Sequence, residues 1–113
     1  MTSPVGRTSP VGMTSTVEAR AATALAPLRA EIDAVDVEIA ALLARRMAVV
    51  ERVIAVKRAA GLPALLNDRV EEVAAHVRGQ AQSKGAPPDL AETVWRAMMD
   101  WIIAYEDRRL REP

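Results

Sequence analysis

The chain has 113 residues, half of them apolar, and its fifteen basic side chains balance fifteen acidic ones. With no net charge there is no global field to draw the protein to nucleic acid or to an anionic membrane, so any anion has to be held by a local cluster. The lack of cysteine excludes a disulfide framework and a thiolate metal site, and the single His76 cannot form a histidine cluster.

The chain opens on a short duplication, TSPVG at residues 2–6 and again at 8–12. Its Ser, Thr, Pro and Gly bury too little to order themselves, so residues 1–22 are expected to be a disordered tail and residues 23–113 the folded domain. These opening residues lack the continuous apolar stretch of a secretory signal, and no run approaches the roughly 20 apolar residues of a membrane span. A cytoplasmic location is the resulting expectation.

From Leu28 to Ala60 there is neither Gly nor Pro, and Leu28, Ile32, Val35, Ile39, Leu42, Leu43, Val49, Val50, Val53 and Ile54 recur at three- and four-residue spacing. That is the pattern of one amphipathic helix about 50 Å long. Pro27 suits a first turn, so the helix begins near there or runs earlier through a kink, and Gly61 with Pro63 ends it. Asn67 or Asp68 offers an N-cap for a second helix, with Val70, Val73, Ala74 and Val77 on one side, closed by Gly85 and the Pro87-Pro88 pair. A third helix is predicted from about Asp89 to Arg109, with Leu90, Val94, Ala97, Met98, Trp101, Ile102 and Tyr105 as its apolar stripe. Nothing alternates with period two for long enough to be a strand, so the fold class is all-α with three helices, the first very long.

A helix of that length cannot be covered by two shorter ones, and its overhanging apolar side would face water. A second copy of the chain is the simplest cover, which predicts a homodimer.

Among the charges of the long helix, Arg46 and Lys57 are eleven residues apart, which turns them only about 20° from one another and separates them by about 16 Å. They share a face, and a small dianion between them could touch both. Arg29 precedes Arg46 by seventeen residues, about 25 Å, and cannot reach the same site in its own chain. In an antiparallel dimer it arrives from the other protomer. The bland alternative is a solvated basic face with local ion pairs.

The stretch LAPLRAEIDAVDVEIAALLARRMAVVERVIAVK, residues 25–57, resembles the first helix of the helical chorismate mutases. It has their L-R-x-x-I-D-x-x-D opening, an Arg-Arg pair farther along and the Lys eleven residues after it. The likeness continues more loosely through Pro63, Asp68-Arg69 and the last helix, covering about residues 25–110. It implies three-helix chains intertwined as a homodimer, with two equivalent sites and neither cofactor nor metal. The partner's Arg29 and Arg46 would clamp the two carboxylates of the substrate, Arg being suited to bidentate pairing. Lys57 would sit by a carboxylate and the ether oxygen. The implied reaction is the pericyclic [3,3] shift of chorismate to prephenate, which needs a compact conformation and positive charge at the breaking C–O bond rather than a nucleophile.

Three positions depart from the family pattern. Val70 stands where ordinary members carry a Glu that grips the C4 hydroxyl, and Leu66 where they commonly carry an Asp. Glu106 replaces a Gln that in many members donates a hydrogen bond to the ether oxygen, and a Glu donates only when protonated. The exchange implies either an acidic pH optimum or a substrate with a positive group, such as 4-amino-4-deoxychorismate. Mutases acting on that compound in antibiotic pathways resemble this chain in the Arg-Val and Glu-Asp pairs. The resemblance thus makes Arg46, Lys57 and Glu106 the catalytic residues, with Arg29, Leu66, Arg69, Val70 and Ile102 binding substrate.

Other readings stay open at this stage. Isochorismate pyruvate-lyases also lack the C4 grip, although they generally keep the Gln. Glu106 and Asp107 could merely pair with Arg109 or Arg111, and the whole chain could be a non-catalytic helical dimer. Trp95, Met98, Met99 and Trp101 are more simply core than pocket, and the EEVAAH segment lacks the first His of a zinc-protease motif.

Overall fold

Helix-forming residues dominate the chain, and the computed structural model contains three helices and no strand among its described residues. It describes residues 8–113, with side chains from Thr16 onward. Helix α1 is Thr8–Ala60, α2 is Asn67–Lys84 and α3 is Pro88–Arg111. The chain divides into two units, Met1–Arg46 and Met47–Pro113.

In the first unit α1 begins well before Pro27, which lies inside the helix. Residues 8–22, expected to be part of a disordered tail, are thus helical here, whereas residues 1–7 lie outside the described residues. The physical reason is local: Glu18, Ala19, Arg20, Ala21, Ala22, Ala24, Leu25 and Ala26 are strong helix formers, and they carry the helix up to Pro27. Pro27 has no N–H to give the Thr23 carbonyl, a loss that solvent makes good on so exposed a helix. Every large apolar residue from Val17 to Leu43 stays at least 40% exposed.

The second unit holds the buried core. Val50 and Ile54 of α1 pack with Ile102 of α3, flanked by Met47, Met98, Tyr105 and Leu110. Helix α1 closes at Gly61, whose φ of 68° is the left-handed conformation that glycine adopts freely. There the Leu62 N–H donates to the Lys57 carbonyl at 2.8 Å. Helix α2 closes in the same way at Gly85, with the Ala86 N–H on the Ala81 carbonyl at 2.9 Å.

Two boundary expectations change. Asn67 is already the first residue of α2, and its cap is Leu66, which makes no side-chain capping bond. Asp68 instead places its charge in the first turn, where the helix dipole favours it. Helix α3 begins with Pro88 in its first turn and runs on to Arg111. Its buried residues are Met99, Ile102 and Glu106, while Leu90, Val94 and Trp101 of the expected stripe remain exposed. The side that faces α1 and α2 is therefore rotated from the most apolar one. An ion network ties α2 to α3: Arg78 meets Asp89 and Glu92, and Arg96 meets Glu92 and Glu71. Hydrogen bonds from Arg96 and then Arg78 hold the Glu92 carboxyl below its ordinary range.

Candidate active site

Glu106 is the buried charged residue of the second unit, and its partner is Lys57. The Lys57 Nζ lies 2.7 Å from Oε1 of Glu106, with side-chain exposures of 12% and 7%. The same ammonium donates to the carbonyl oxygen of Ala64 at 2.8 Å. Both partners follow from the local fold. The turn at Gly61 brings the Ala64 carbonyl back over the last turn of α1, and Ile102, seated in the core one turn before Glu106, sets the face of α3 that meets Lys57.

This arrangement uses two of the three ammonium hydrogens of Lys57 and leaves one for a ligand. The second oxygen of Glu106 accepts no hydrogen bond from any described residue. The pair therefore presents a donor and an acceptor, each with spare capacity. The alternative in which Glu106 pairs with Arg109 or Arg111 does not hold. Asp107 takes Arg111 at 2.8 Å and Glu51 takes Arg109 at 2.6 Å.

The other expected site residues are distributed as follows. Leu66 caps α2 and is 38% exposed, and Val70, half-buried, donates its N–H to the Leu66 carbonyl. Arg69 is on the surface, bonded at 2.6 Å to Glu72. Ile102 belongs to the core cluster. Arg29 and Arg46 lie in the first unit, where neither makes a hydrogen bond or ion pair with a described residue. His76 is exposed beside Gln80, in keeping with a surface role. Among the described residues no three His, Cys, Asp or Glu side chains gather as a metal site requires. No described helix is long and apolar enough to cross a membrane.

Two features were not anticipated from the sequence. One is the Ala64 carbonyl, a backbone group that no side-chain motif could announce. The other is a cluster in which the Tyr105 hydroxyl donates to Glu51 while Arg109 donates to both Glu51 and Tyr105. Hydrogen bonds from Tyr105 and Arg109 hold the Glu51 carboxyl below its ordinary value. Trp101 stacks on Tyr105 with ring centres 5.4 Å apart. The spacing of Tyr105 and Arg109, one turn apart, was visible; their joint partner on α1 was not. A depression of about 340 Å³ lined by Ala64, Leu65, Asp100, Ile103, Ala104 and Asp107 contains none of the expected site residues.

Residues 28–107 match the family model of chorismate mutase type II. The chain belongs to that family, a family of isomerases. It is 41% identical over 75 residues to a T-protein of Enterobacter agglomerans, an alignment covering 66% of this chain and 20% of the relative. It is 36% identical over 85 residues to a T-protein of Haemophilus influenzae, covering 75% of this chain and 22% of that protein. The chain thus spans about a fifth of the length of these curated relatives. No solved structure matches it.

Proposed function

We propose that two copies of this chain pair through their α1 helices and catalyse the [3,3] rearrangement of chorismate, or of 4-amino-4-deoxychorismate, to prephenate or its 4-amino analogue. Family membership supports the reaction. The observation that carries the finer reading is the Lys57–Glu106 pair, a buried cation and carboxylate with one donor and one acceptor left over. In this reaction an ether C–O bond breaks as a C–C bond forms, and no nucleophile or general base takes part. Lys57 supplies its remaining N–H to the ether oxygen or a neighbouring carboxylate, where negative charge builds. Glu106 meets a group that donates, which the ammonium of the amino substrate does. With Leu66 and Val70 apolar, the C4 hydroxyl of chorismate finds no polar grip there.

The two carboxylates of the substrate require two more cations. Arg46 and the partner's Arg29 serve as these anchors, since neither guanidinium group is committed to a described residue of its own chain. Pairing of two chains also covers Leu25, Leu28, Ile32, Val35, Ile39 and Leu42, all exposed in one chain. Incubation with chorismate, its 4-amino analogue and isochorismate, with products identified by mass, tests the proposal. Prephenate or the amino product supports it; salicylate with pyruvate shows a lyase instead, and no product from any of them refutes catalysis.

A further inference from the structure

In the first unit, Leu25, Leu28, Ile32, Val35, Ile39, Leu42 and Arg46 follow one another at strict three–four spacing. This is a heptad seam with Leu25, Ile32, Ile39 and Arg46 at its a positions and Leu28, Val35 and Leu42 at d. Six of the seven are apolar and 40–60% exposed, and the seventh is a guanidinium with no partner among the described residues. The sequence continues the spacing through Val49, Val53 and Val56. Arg46 is therefore a single charge set into an otherwise apolar seam.

We infer that Arg46 weakens the ligand-free dimer, so that binding of a dicarboxylate tightens the association of the two chains. The inference rests on the dimer and the shared anchors proposed above, from which tightening by ligand follows; what it adds is the cost that Arg46 imposes on the ligand-free seam. In an antiparallel seam a positions face d positions. The register that sets Val35 against the partner's Ile39, and Ile32 against the partner's Leu42, sets the partner's Leu28 against Arg46. The partner's Arg29 then lies directly beside Arg46. Without ligand, two guanidinium groups meet at each end of the seam, one of them pressed against Leu, and like charges brought out of water oppose association. A dianion neutralises both at once. Only the paired chains offer both, so ligand binding and pairing reinforce each other by mass action.

The test is the dimer dissociation constant from sedimentation over a dilution series, for the full chain and for Arg46→Leu, with and without saturating prephenate and with benzoate as a monocarboxylate control. The expected result is a constant lowered about tenfold or more by prephenate, and not by benzoate, in the unmodified chain. In Arg46→Leu the constant is expected to be lowered about as much with no ligand present, and to be indifferent to prephenate. Arg46→Met serves if the Leu variant loses helicity by circular dichroism. If dimers persist at the lowest concentration, exchange of fluorophore-labelled subunits gives the same comparison as a rate. A variant dimer no tighter than the parent overturns the cost assigned to Arg46 while leaving the shared site standing, and a parent dimer that binds prephenate without tightening overturns the shared site with it. A chain that is monomeric in every form overturns the dimer as well.

Discussion

The ammonium of Lys57 lies 2.7 Å from the carboxylate of Glu106, and the two side chains are 12% and 7% exposed. A cation and an anion this far out of water stay together only when their remaining hydrogen-bonding capacity is met, and the Ala64 carbonyl meets part of it at 2.8 Å. The rest is available to a ligand, and the residue chosen at 106 decides what that ligand must offer.

Glu106→Gln restores a neutral amide that donates at every pH. Turnover of chorismate is expected to reach its maximum at a higher pH than in the parent, and the preference for 4-amino-4-deoxychorismate to fall. Both follow from kcat/KM profiles on the two substrates. An unchanged profile places residue 106 outside the contact with the reacting oxygen. The amide oxygen can still accept from Lys57, so the stability loss should be only roughly 1–3 kcal/mol by urea unfolding, against about 3–5 kcal/mol for Glu106→Leu, which leaves a buried ammonium without its partner.

On the proposed reading, Arg46→Ala removes a carboxylate anchor and little packing. kcat/KM is expected to fall at least about a hundredfold, with dimers still present in sedimentation. Retention of most activity would take Arg46 out of the site.

The Glu51 cluster ties α1 to α3, and its pH dependence has a definite sign. The Glu51 carboxyl titrates below the ordinary 4.5, first because of the Tyr105 hydrogen bond and then because of Arg109. A folded-state value below the unfolded one means that the contribution is fully present above the unfolded value and is lost as pH falls through the folded value. The melting temperature of the parent should therefore exceed that of Glu51→Gln at neutral pH, and the gap should close as the pH is lowered past the ordinary carboxylate range. A gap that stays constant down to about pH 3 would show that the charge of Glu51 contributes nothing.

Ile54 is 1% exposed at the centre of the core. Ile54→Ala is expected to cost about 2–4 kcal/mol in urea unfolding through the cavity it leaves. A loss under about 1 kcal/mol would mean that the neighbouring side chains collapse into the space.

The helices were legible because their signals are local. Gly61 and Gly85 end α1 and α2 through the left-handed turns that glycine favours, and the apolar spacing from Leu28 onward marks a helix whatever covers it. The start of α1 was left open between Pro27 and an earlier point because Pro27 suits a first turn, and the alanine-rich stretch ahead of it decides for the earlier one. The buried side of α3 was legible in part: Met98, Ile102 and Tyr105 join the core as expected, but Trp101 and Val94 stay exposed while the polar Glu106 is buried. Only the position of Lys57 across from it makes that burial tolerable. The Lys57–Glu106 pairing spans 49 residues of sequence, and spacing along one helix could not have revealed it. Its two members are marked separately in the sequence, Lys57 by its spacing from Arg46 and by the family resemblance, Glu106 by the resemblance alone.

If each site is built from both chains, as proposed, two inactive variants should restore one another when mixed. Arg29→Ala and Arg46→Ala are each expected to be inactive alone. In a mixed dimer, one site keeps both arginines and the other loses both. With equal amounts and free exchange, half the dimers are mixed and half their sites intact, so activity should return to about a quarter of the parent value. No recovery, with subunit exchange confirmed by labelled chains, would contradict the shared site.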